Sequence, residues 1–156
     1  MAVVAADLVR LHWARSEMRN LVAAAALAAA TELDGTAAGL LRAREAAEAV
    51  WKRSLIATAV AKGAEADFGL SPTGPWRGEP GDLTRCCFVR VRAAGAVPLS
   101  LLPLLGRASA RFVEAEAIAV PRLPPLGQAE PDGEADPVSP RLLTISVGSG
   151  RAVGAP

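Results

Sequence analysis

Val3 to Leu33 reads VVAADLVRLHWARSEMRNLVAAAALAAATEL, and Asp34-Gly35-Thr36 follows at once. Val4, Leu8, Leu11, Arg15, Met18, Val22, Ala25 and Ala29 recur at a four-three spacing that keeps one face of a helix turned toward a partner, with Arg15 interrupting the stripe. The other sides carry Asp7, Arg10, Glu17, Arg19 and Asn20, so the amino-terminal half is expected to be partly wetted. Leu21 to Ala30 is apolar nearly all round and is expected to be the buried half. No cap residue precedes the first turn, which reads as the lower part of a longer helix. At a rise of about 1.5 Å per residue the segment makes a rod roughly 46 Å long, more than the width of a domain of this size, so part of it must project.

Working outward, Asp34 and Gly35 supply a turn, and Thr36 is placed to cap whatever helix follows. The spacing predicts that second helix over 37–62, with Leu40, Ala43, Ala47, Val50, Ser54, Ala57 and Ala61 as its stripe and Lys62-Gly63 as its stop. Small residues on both stripes let the two backbones approach closely as an antiparallel hairpin. Arg44, Glu48 and Lys52 stand four apart and read as a solvated ladder. Trp51 is expected to cover an end of the hairpin.

Past Glu65 the period shifts from helical to extended. Ala66 to Leu70 is a short candidate strand, and 71–82, dense in Pro and Gly around Trp76, is a loop. Cys86 to Arg92 alternates, with Cys87, Val89 and Val91 on one face and Phe88, Arg90 and Arg92 on the other. A turn is expected at Gly95. Val97 to Leu105 (VPLSLLPLL) is apolar but broken by Pro98 and Pro103, which argues against a long helix or a central strand and marks it as a patch for a partner. Arg107 to Val120 alternates again, and pairing it with the preceding strand sets Glu114 and Glu116 near Arg90 and Arg92. The fold class is therefore α+β: a long first helix and a second helix form an antiparallel hairpin packed on a small antiparallel sheet. Residues 1–122 form this unit, 123–140 a Pro-rich acidic linker, and 141–156 a tail in which Leu142 to Val147 is a candidate strand and the last residues fray.

The chain has 156 residues, of which 51% are hydrophobic, enough for one core, and only three Trp, three Phe and no Tyr, so that core is built from close helix packing. Seventeen basic residues against sixteen acidic ones give a net charge of +1, which removes the electrostatic case for nucleic acid. No uncharged apolar run approaches the roughly twenty residues that cross a bilayer. Cys86 and Cys87 are adjacent, a geometry that disfavours a bond between them, and there is no further Cys for a zinc site. His12 is the single histidine and is flanked by Arg10 and Arg15, so triads and histidine metal sites fail on count. Gly148-Ser149-Gly150 follows a candidate strand but lacks the helix a phosphate loop needs. No two carboxylates stand at a spacing that argues for acid-base work. The expectation is a protein that is not an enzyme, with no cofactor, no metal, no nucleic-acid partner and no small-molecule substrate.

One resemblance spans about residues 3 to 122. The ordered series Asp7, Arg10, Leu11, Trp13, Arg15, Ala23 to Ala30 and Leu33-Asp34-Gly35, then Asp67-Phe68-Gly69, Phe88 to Arg92 and Val97 to Val120, resembles TadE/TadG-like proteins of the tight-adherence (Flp) pilus system. It departs from the family's usual first helix in having Met18-Arg19-Asn20 followed by Val22 to Ala25 where a second Asp is usual, and it lacks most of the amino-terminal membrane helix. The resemblance implies an inner-membrane-anchored protein with an extracytoplasmic, periplasmic or cell-surface domain. It would act in assembly of an adhesive pilus, or as a minor pilin-like component of it. Its partners would be other pilus-assembly or pilin subunits and, through the missing upstream helix, the inner membrane. The family offers no catalytic residue to carry over. The interaction candidates are Leu8, Leu11 and Met18 on the first helix and Leu99, Leu101, Leu102 and Leu104 in the Pro-broken patch. The rival expectation is a soluble, stand-alone helical-hairpin interaction module.

Overall fold

A computed structural model describes residues 2–54, 61–81, 88–100, 109–121, 141–148 and 152–153. Helix α1 (Ala2–Glu32) and helix α2 (Ala37–Lys52) are followed by strands β1 (Ala61–Gly69), β2 (Phe88–Pro98), β3 (Ala110–Val120), β4 (Arg141–Gly148) and the two-residue β5 (Ala152–Val153). The strands form one antiparallel sheet in the order β1-β2-β3-β4, with β5 also paired to β3. Both helices lie on one face of it: α1 packs on β2, β3 and β4, and α2 packs on α1 and β1. The class is α+β, as the periodicity predicts.

Alternation produces the second layer. In β2, Val89, Val91, Ala93 and Val97 are buried, and in β3, Val113, Ala115, Ala117 and Ala119 are buried. Against them α1 sets Met18, Val22, Ala25, Ala26, Ala29 and Ala30, and α2 sets Leu40, Ala43, Ala47 and Trp51. Alanine on both surfaces brings helix and sheet backbones close, so the core is thin, with Phe68 the largest fully buried side chain among the described residues.

The hairpin turn is a small hydrogen-bonded device. Gly35 takes the left-handed backbone (φ 79°) that ends α1. The Thr36 hydroxyl accepts from Gly39 N–H at 3.0 Å as the N-cap of α2, while donating to Asp34 Oδ1 at 2.6 Å. A Cβ on Gly39 would stand 2.0 Å from that same Oδ1, so the turn closes only over a residue without one. Arg42 holds the other Asp34 oxygen at 2.6 Å.

Several expected boundaries move. Helix α2 ends at Lys52, where Ser54 N–H closes onto Trp51 C=O at 3.1 Å, and does not reach residue 62. Ala61 and Lys62 belong instead to β1, which begins five residues before the expected Ala66 and pairs with β2 from Ala61 opposite Gly95, with a register shift by Ala64. Ladder pairing outweighs the helical propensity of the small residues there. Gly95 is no turn: it is a buried position inside β2, opposite Val113, because both neighbouring strands pair with it. Val97 and Pro98 close that central strand, Pro98 opposite Ala110 at the strand's last position, where the missing N–H is tolerated. Strand β4 joins the same sheet, and Ala152 and Val153 pair with Arg111 and Ala110 where fraying was expected. The 123–140 linker and Cys86 and Cys87 lie outside the described residues.

Candidate interaction surface

The difference in length between the helices creates the surface. At about 1.5 Å per residue the sixteen residues of α2 reach back only some 24 Å along α1, over roughly its last sixteen residues. The first half of α1 rests on the sheet with one stripe and, among the described residues, has no second helix beside it. That stripe is Asp7, Leu11, Ala14 and Met18, all buried. At about 100° per residue, Val9 and Trp13 fall on the opposite side, and there they are 68% and 58% exposed; Leu8, on the flank between, is 53% exposed.

Of the sequence candidates, only Leu8 is placed on the surface among the described residues. Leu11 and Met18 are core residues, because the four-three stripe that carries them faces β2 and β3, and Leu99 is buried where the end of β2 turns. Leu101, Leu102 and Leu104 lie outside the described residues. Val9 and Trp13 were not among the interaction candidates, although Trp13 is one of the residues that carry the resemblance. Their signal was available: both stand off the stripe by roughly half a turn, on a half-helix too long for its partner.

Asp7 is a second correction. Grouped by charge with the wetted residues, it is 3% exposed and accepts Ser100 N–H at 3.2 Å, while Arg10 donates to the Ser100 hydroxyl at 3.3 Å. The pair of contacts pins the amino end of α1 to the chain just past β2. A buried carboxylate is tolerated because it is hydrogen-bonded.

Polar side chains on the rest of the fold tie elements together. On the sheet face away from the helices, Asp67 pairs with Arg90 at 2.7 Å and Arg92 at 2.9 Å, and Glu65 with Arg92 at 3.4 Å. Register does set Glu116 opposite Arg92, but Glu114 faces Ala94 and Arg90 faces Ile118, so the guanidinium groups take their ion pairs from β1. Trp76 lies over Arg90, with 4.8 Å from guanidinium carbon to ring centre, and its indole abuts Gly69. Phe68 and Arg77 exchange backbone hydrogen bonds at 2.8 and 3.0 Å, which covers part of the open edge of β1. Arg44 leaves the expected surface ladder: it bonds the Gly78 carbonyl and sits over the Phe68 ring at 5.7 Å, while Glu48 and Lys52 alone form the exposed pair at 2.7 Å. Trp51 is buried under α2.

No group of three potential metal ligands occurs among the described residues. No helix among them is long and apolar enough to cross a membrane. No family model, curated protein or solved structure matches the chain.

Proposed function

We propose that the chain is a non-enzymatic component of adhesive (Flp/Tad) pilus assembly, the extracytoplasmic domain of a membrane-anchored, minor pilin-like protein. Two supports are independent of each other: the ordered resemblance of residues 3 to 122 to TadE/TadG-like proteins, and the long α1 whose amino half outruns α2. The observation that carries most weight is the exposure of Leu8, Val9 and Trp13 together on that half; Leu41, Leu70, Leu143 and Ile145, the other exposed large apolar side chains among the described residues, are spread over α2, the end of β1 and β4. A helix that continued upward into a bilayer would leave its first turns in this condition, packed below and bare on one side.

The test is genomic. The DNA immediately upstream of codon 1 should encode about fifteen further apolar residues in frame, completing the roughly twenty that span a bilayer. Deleting the gene should abolish surface pili while leaving pilin subunit levels intact. Stop codons upstream, or normal piliation in the deletion strain, would overturn the reading.

One observation favours the second reading, a self-contained helical-hairpin interaction module. The contact of Asp7 with Ser100 fastens the start of α1 to its own domain. Under that reading the chain alone is a stable monomer and fractionates with soluble protein.

A further inference from the structure

We draw no further inference here: the strongest candidate, the apolar surface patch of Leu8, Val9 and Trp13 on the half of α1 that α2 does not reach, carries nothing because nothing in the structure shows what covers it.

Discussion

The two halves of α1 are one helix in two environments. From Val22 to Ala30 the helix meets α2 on one side and the sheet on another, and Val22, Ala25, Ala26, Ala29 and Ala30 are fully buried. From Ala5 to Ser16 a single stripe meets the sheet, and the opposite side shows Val9 and Trp13 to solvent. The residues follow the environments. Where two partners approach, alanine allows close contact; where one partner exists, larger apolar side chains stand outside. Exposed apolar bulk beside tightly packed alanine separates the part of the helix that holds the domain together from the part available to something else.

The largest effect should come from filling the crowded half. Ala29 is fully buried in the core that α1 shares with α2 and the sheet, so the larger side chain of Ala29→Leu should push one of them away, at about 3 kcal/mol, the upper end of overpacking costs. Val9→Ser on the other half should change stability by no more than about 0.5 kcal/mol. Urea denaturation of the two variants measures both. Equal losses would mean that the halves are packed alike and would remove the basis of the interaction surface.

Most of the architecture was legible because its signals are local and redundant. The hairpin follows from Asp34-Gly35-Thr36 between two periodic runs, and the core face of β2 and β3 from strict alternation at Val89, Val91, Val113 and Ala115. What was illegible involved competition between levels. Lys62-Gly63 looks like a helix stop, yet both residues lie inside β1, whose start is fixed by pairing with β2 some thirty residues on. A lone Gly reads as a turn until two strands claim it, as at Gly95. In α1, two phases fit the four-three spacing. Leu8 with Leu11 and Arg15 looks the more apolar, but the buried phase is Asp7, Leu11, Ala14 and Met18, and choosing it requires accepting a buried carboxylate. The donor that makes that choice tolerable, Ser100 N–H, is ninety-three residues away in sequence and has no local signature.

Asp7 therefore gives the next prediction, on the anchoring of the exposed half. Asp7→Ala removes the acceptor from the Ser100 N–H and opens a space under the first turns, so it should cost about 2 kcal/mol. Asp7→Asn retains a carbonyl oxygen at that place and should cost less. Amide exchange adds the regional readout: in Asp7→Ala the first turns of α1 should exchange faster while Ala25 to Ala30 keep their protection. Uniform loss of protection along the helix would show that the two halves unfold as one.

The smallest effect lies at the other end of the same helix, where a second aspartate also accepts a backbone N–H, but in solvent. Asp34 Oδ1 receives the Thr36 hydroxyl at 2.6 Å and the Thr36 N–H at 2.9 Å, and with Arg42 on the other oxygen these hold its pKa at about 2, below the ordinary 3.8. The folded state thus favours the ionised form, and the stability this gives is complete above about pH 3.8 and fades as pH falls through about 2. Because the carboxylate is exposed, the effect is modest and screened by salt. Asp34→Asn keeps an acceptor for Thr36 but not the charge. Its melting temperature should lie slightly below that of the unaltered chain at neutral pH, and the gap should narrow from pH 3.8 to pH 2 as the native aspartate takes up its proton. A gap that holds constant down to pH 2 would mean that the hairpin is closed by the geometry of Gly35, Thr36 and Gly39 alone, with no contribution from the ionised side chain.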